Sequence, residues 1–345
     1  MRDICLAAAL AALILAPCAA SGFEIEDRKE YTQQDATRTM RILSTADIAA
    51  FDPILRAFQK SQPGLNIDYV VAGSTEVMKA IYDEAQPFDL VISAAMDLQT
   101  KLANDGFALD YSSVATTALP VWASWHNQVF GFTQEPAAVV IWEPAFTNLT
   151  IPTNREELIE LLRDNEGFFR GRIGTYDVRV SGAGYLFATQ DSRNTESYWR
   201  LTEVMGRLDP KLYCCSGNMI DDVANGTLVL AYNVLGSYAE TRAKDDPRIK
   251  IVPMQDFMTV MLRTALIPTT AVNTQDAGAM IDFLANLKSR ADLTVASGLP
   301  PIDAHVVEVE KVLRPIRLGP GLLVFLDRLK RENFLRSWEA SISQE

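Results

Sequence analysis

The chain has 345 residues, 48% of them hydrophobic, and a formal charge of −12. That length suffices for two domains with apolar cores, and the charge leaves no basic footprint to neutralise phosphates, which excludes a nucleic-acid partner. The two histidines, His126 and His305, have no metal-ligand neighbour at helical spacing, and no HExxH, CxxC or GxSxG pattern occurs.

Arg2 precedes an apolar run from Ile4 to Ala16, followed by the small residues of a signal-peptidase site at Ala19, Ala20 and Ser21. The run is too short to span a bilayer. Residues 1–20 are therefore read as a secretory signal and the protein is expected in the periplasm. Asp3 departs from the usual basic start, and Pro17 before Cys18 argues against a lipoprotein anchor. Cleavage would remove Arg2 and Asp3, one charge of each sign, and would leave Cys214 and Cys215 as the remaining cysteines. Neighbours cannot staple a long loop, so stability must come from the cores.

Residues 21–39 are polar and read as an N-terminal arm with little order. Met40 to Leu43 opens the first strand, and Ser44, Thr45, Ala46 and Asp47 form the loop before a helical stripe of Ile48, Phe51, Leu55 and Phe58. Leu65 to Val71 is a β-branched run ending at Gly73-Ser74-Thr75. Val77, Ala80, Ile81 and Ala85 then fall at helical spacing, and Phe88 to Ser93 returns to strand. Such a βαβ unit predicts a parallel sheet with helix N-termini and loop hydroxyls gathered at the carboxyl ends of its strands. Val129 to Trp142 holds two β-rich runs where the chain is expected to cross first between lobes.

A second αβ pattern follows: a helix over 155–165, a strand over 171–176, the turn Ser181-Gly182-Ala183-Gly184, helices over 195–208 and 217–225, and a strand over 227–234. The second crossover is expected near Thr259 to Leu266, and Met280, Phe283, Leu284 and Leu287 mark an amphipathic helix. These elements divide the chain into a first lobe over 40–142 and 258–292, a second over 143–257, and C-terminal helices over 293–345 packed on the second lobe.

Three hydroxyl-bearing turns stand at strand-to-helix junctions: Ser44-Thr45, Gly73-Ser74-Thr75 and Ser181 to Gly184. One such turn reads most simply as a helix cap. Three of them, in two lobes, point to an anion site, because free N–H groups and the positive end of the helix dipole hold negative charge without a cationic side chain. The adjacent Cys214 and Cys215 are compatible with a vicinal disulfide, a thiol pair or plain packing.

The segments RILSTAD, GSTEVMKAI, FDLVISAAMD, SGAG, ANGTLVLAYN and AGAMIDFLANL resemble, in this order, the periplasmic solute-binding proteins of ABC importers, closest to the branch containing ferric-ion-binding proteins. The resemblance runs from about Met40 to Leu293. It implies an α/β fold of two lobes joined by a pair of crossing strands and closing on a ligand by hinge motion. Iron binders of that branch use an adjacent tyrosine pair after an asparagine, with a first-lobe carboxylate. Here Val234 and Leu235 follow Asn233, and Ala94 and Ala95 follow Ser93, so iron binding is not expected. Ser181-Gly182-Ala183 matches the turn that cradles an anion in those proteins.

The expected ligand-binding residues are Ser44, Thr45, Ser74, Thr75, Ser93, Ser181, Gly182, Ala183, Ser216, Tyr232 and Asn233, with Tyr176, Tyr238 and Arg179 as further candidates. The function expected is non-enzymatic capture of a small anionic solute, phosphorylated or carboxylated, by a monomer that needs no cofactor or metal and docks on an ABC permease in the inner membrane. The tail LRPIRLGPGLLVFLDRLKRENFLRSW is similar to that of phosphoglycerate transport regulatory proteins, which makes a sensor kinase the alternative partner. Ferric iron binding and a hydrolase on the same fold are the remaining readings.

Overall fold

The computed structural model describes residues 22–344; the secretory-signal reading of residues 1–20 lies outside them. The chain forms two seven-stranded mixed sheets, one per lobe. The first half contributes β1 (Asp27–Tyr31), β2 (Arg38–Ser44), β3 (Leu65–Val71), β4 (Leu90–Ser93), β5 (Ser124–Trp125) and β6 (Val129–Gly131) to the first sheet. Then β7 (Glu135–Trp142), β8 (Ile173–Tyr176), β9 (Lys211–Tyr213), β10 (Leu230–Leu235), β11 (Ile249–Val252) and β12 (Met258–Met261) build the second sheet. β13 (Thr264–Leu266) returns to the first and β14 (Leu313–Pro315) to the second.

In the first lobe β2, β3 and β4 are parallel, as the run of buried β-branched residues requires. The helices Ile48–Ser61, Ser74–Met78 and Met96–Asn104 each start at the carboxyl end of one of these strands. In the second lobe β10, β8 and β9 are parallel. Here the helices Gly182–Asn194, Ser216–Ala224 and Gly236–Asp245 follow β8, β9 and β10 respectively. The same αβ rule thus puts two sets of helix N-termini on facing edges.

Three boundaries differ from the sequence reading. Residues 27–31, expected in a little-ordered arm, form the edge strand β1 antiparallel to β3; Tyr31 is buried and the charged residues of this strand are anchored by Arg28–Asp68 and Lys29–Asp52 pairs. β7 and the start of the 258–292 segment, assigned to the first lobe, pair with the second sheet. Their apolar runs would suit either sheet, and which sheet a strand joins is decided by pairing that single-sequence patterning does not print. The chain accordingly crosses between lobes at residues 132–134 and again at 262–263.

The C-terminal segment does not sit on the second lobe alone. Its first helix, Ala291–Ser297, packs on the Ile48 helix of the first lobe, and β14 then joins the second sheet. The short 3₁₀ helix Pro320–Leu326 lies against the Met96 helix of the first lobe, whereas Arg328–Ile342 packs against Ser197–Gly206 of the second. Phe334, Trp338 and Ile342 are buried in the second-lobe core. No helix among the described residues is long and apolar enough to cross a membrane.

Candidate functional site

Between the facing strand edges lies a cavity of about 540 Å³. Its first-lobe wall is made by Thr45, Asp47, Gly73, Ser74, Thr75, Glu76, Ala94 and Ala95, with Glu24 and Glu26 at the rim. Its second-lobe wall is made by Tyr176, Ser181, Ala183, Cys214, Cys215, Ser216, Gly217, Asn218 and Tyr238, and Arg263 comes from the second crossing. The lobes touch across it: Gly182 N–H donates to Ser74 Oγ at 2.9 Å, and Asp47 N–H to Tyr238 Oη at 3.4 Å. This is a closed conformation.

Several helix N-termini meet in the cavity. The Ile48 helix starts after Asp47, the Ser74 helix after Gly73 and the Ser216 helix after Cys215, and none of these N-cap residues makes a side-chain capping bond. Their first N–H groups lack the usual intrahelical partners. The Gly182 helix differs, because Ser181 Oγ accepts from Gly184 N–H at 3.1 Å and caps it.

One buried ion pair backs the cavity. Arg263, 0% exposed, donates from Nε and Nη2 to the two Glu135 carboxylate oxygens at 3.1 Å each, while Thr133 and Ser237 hydroxyls also donate to Glu135. Burial works to raise the Glu135 pKa, but the adjacent guanidinium and these hydrogen bonds hold it below the ordinary carboxylate range. The Arg263 guanidinium also lies 5.7 Å from the Tyr238 ring centroid. Burial pushes the Tyr238 hydroxyl up to about 12. The Asp47 carboxyl is raised by burial, with Arg263 and Tyr238 opposing, and Glu26 is raised by burial and by Asp47 and Glu24 nearby. The first-lobe rim is thus acidic.

Among the residues expected from the sequence, Thr45, Ser74, Thr75, Ser181, Ala183 and Ser216 line the cavity, and Gly182 forms the lobe contact beside it. Four lie elsewhere. Ser44 Oγ is occupied in the core by Tyr69 Oη and Ala46 N–H, since strand alternation turns it inward as Thr45 turns out. Ser93 Oγ accepts from Ala95 N–H under the same wall. Tyr232 and Asn233 sit at a β-bulge in β10, and both side chains donate to Asp191 Oδ2, at 2.9 and 3.0 Å. That carboxylate also accepts from Thr259 and pairs with Arg155, which makes a buried structural network. Arg179 pairs with Asp177 on the surface.

Asp47, Arg263 and the rim carboxylates escaped the sequence reading. Arg263 had a signal, an arginine inside the run Met258 to Leu266, because a strand buried on both faces does not carry an unpaired charge.

The bacterial extracellular solute-binding protein signature matches residues 41–294. The chain belongs to this family. The family comprises binding proteins, and membership places this protein outside the cytoplasm. A substrate-binding protein of an ABC transporter from Agrobacterium tumefaciens is similar in structure, with a TM-score of 0.87 and 29% identity over 93% of this chain and all of that one. AfuA from Actinobacillus pleuropneumoniae, solved with fructose-6-phosphate bound, has a TM-score of 0.72 at 14% identity, covering 90% and 100%. Iron-bound HitA from Pseudomonas aeruginosa has 0.68 at 15%, covering 88% and 99%. These last two share the fold. No curated protein sequence matches.

Proposed function

We propose that this solute-binding protein captures a small phosphorylated or carboxylated solute in the interlobe cavity and delivers it to an ABC permease. The observation that carries the reading is the convergence of the uncapped Ile48, Ser74 and Ser216 helices, with the Arg263 guanidinium behind them, on one closed cavity. The volume fits a molecule of sugar-phosphate size. Asp47 and Glu76 stand at the Ile48 and Ser74 helix starts themselves, with Glu24 and Glu26 on the same first-lobe rim, which favours a solute that is not anionic throughout: beside its anionic group it carries hydroxyl or ammonium donors that pair with carboxylates. The ABC-transporter likeness at 29% identity supports the permease as partner.

Iron fits this cavity poorly. Val234 and Leu235 are buried hydrocarbon side chains, and Ala94 and Ala95 offer no oxygen where a hard cation needs several.

Thermal-shift screening followed by calorimetry, with inorganic phosphate, fructose 6-phosphate, a phosphorylated three-carbon acid, citrate and ferric citrate, tests the proposal. A phosphorylated or carboxylated organic solute is expected to stabilise the protein. Ser181→Asp, which puts a carboxylate into the second-lobe wall, is expected to weaken that binding by at least about 100-fold. Stabilisation by the ferric complex alone would sink the reading, and unchanged affinity in the variant would remove Ser181 from the site.

A further inference from the structure

Cys214 and Cys215 form a vicinal disulfide, and both line the cavity. They occupy the turn between β9 and the Ser216 helix. β9 is a three-residue edge strand held by β8 on one side, and its ladder ends at Tyr213, so backbone pairing does not continue into the turn. Cys215 is the N-cap residue, in extended conformation, and contributes no capping bond.

That choice of residue has a chemical consequence. Serine, threonine, aspartate or asparagine at an N-cap accepts from the second or third helical N–H and occupies the donors. A disulfide sulfur is a weak acceptor and leaves them open. Ser216, the next hydroxyl, is committed elsewhere, since Leu235 N–H donates to its Oγ at 3.0 Å and it is bonded to Tyr176 Oη. The space before Gly217 is clear: a Cβ there would meet nothing within 4 Å. The start of this helix thus carries no side-chain cap, and Ser216, Gly217 and Asn218 themselves line the cavity. The disulfide meanwhile ties two adjacent side chains into one small ring, removing their independent rotations just where the ladder has stopped.

We propose that the Cys214–Cys215 disulfide is a positioning device of the solute site: oxidised, it holds the Ser216, Gly217 and Asn218 N–H groups on the bound anion; reduced, it releases the turn and lowers affinity. The inference rests on the anion reading above. A dithiol protein is the reductant class required. Its thiolate attacks Cys214 Sγ, the exposed member, forming a mixed disulfide and expelling the Cys215 thiolate. The donor's second thiol then displaces Cys214. Two electrons and two protons have passed, leaving two thiols here and a disulfide in the donor.

The exported protein is titrated with inorganic phosphate, fructose 6-phosphate and citrate before and after reduction by a phosphine, and again after reoxidation. Amide hydrogen exchange across residues 213–219 is followed in parallel. Reduction is expected to weaken binding of whichever probe binds by at least about tenfold, with recovery on reoxidation. The Cys214→Ala/Cys215→Ala double variant should match the reduced protein and ignore the reductant. Exchange in the turn should quicken by a similar factor. Equal affinity in the two redox states overturns the proposal. If none of the three probes binds in either state, the anion reading is what fails; exchange then decides, and an unchanged rate in the turn overturns the positioning role as well.

Discussion

Asp97, 3% exposed at the start of the Met96 helix, shows how folding stability is coupled to protonation. Burial pushes its carboxyl up to about 7, against the lowering effects of hydrogen bonds from the Leu98 and its own N–H and of the Arg331 charge. The groove it faces is also lined by Arg179, Tyr185 and Leu326 of the second lobe and tail. Below about pH 4 Asp97 is protonated folded or unfolded and adds nothing to the balance. As pH rises toward 7 the unfolded chain gives up this proton while the folded protein keeps it, so stability falls, and above about 7 the whole cost of the buried charge is present. The gap between 3.8 and about 7 corresponds to on the order of 4 kcal/mol. Asp97→Asn is therefore expected to gain on the wild type steadily between pH 4 and 8 in urea unfolding. Parallel stability curves would show that Asp97 titrates normally.

Between elements, the decisive contact is the N-terminus of the Gly182 helix against the Ser74 helix. A Cβ on Gly182 would lie 2.5 Å from Ser74 Oγ, 2.9 Å from Ser74 Cβ and 3.1 Å from Ala95 Cβ. All three atoms belong to the opposite lobe, so the clash exists in the closed state alone. Gly182→Ala is expected to weaken solute binding at least about tenfold and to raise the radius of gyration in the presence of solute, while unfolding of the empty protein changes little. A loss of stability without loss of affinity would place the cost inside the second lobe. The wall residues Thr45, Ser74, Thr75, Ser181, Ala183 and Ser216 were legible in the sequence because each belongs to a turn that local patterning marks. Ser44, Ser93, Tyr232 and Asn233 share that chemistry but face the other way, and strand phase and a β-bulge decided it. The Glu135–Arg263 pair was hidden because its members are 128 positions apart and join the two crossings only in three dimensions.

At the scale of the molecule, the tail makes this more than two lobes on two connections. From Ile316, whose N–H donates to Val260 O in the second sheet, the chain steps to Leu318, whose N–H donates to Trp122 O beside the first sheet. Leu322 is buried in the same apolar cluster as Met96, Leu102 and Ala103 of the first lobe, and Tyr185 Oη donates to Phe325 O as the chain turns back to the second. Opening the cavity is expected to load these attachments. The Arg328 helix holds Phe334, Trp338 and Ile342 deep in the second-lobe core, so the weaker hold is the 3₁₀ segment on the Met96 helix. Leu322→Asp severs that hold by placing a charge in an apolar seam while leaving the helix anchors in place. The variant is expected to remain folded, with an apparent affinity lower by about tenfold or more and a more open conformation in small-angle scattering. If the tail merely follows the second lobe, scattering and affinity will match the wild type, and the strap across the lobes carries no part of the closing energy.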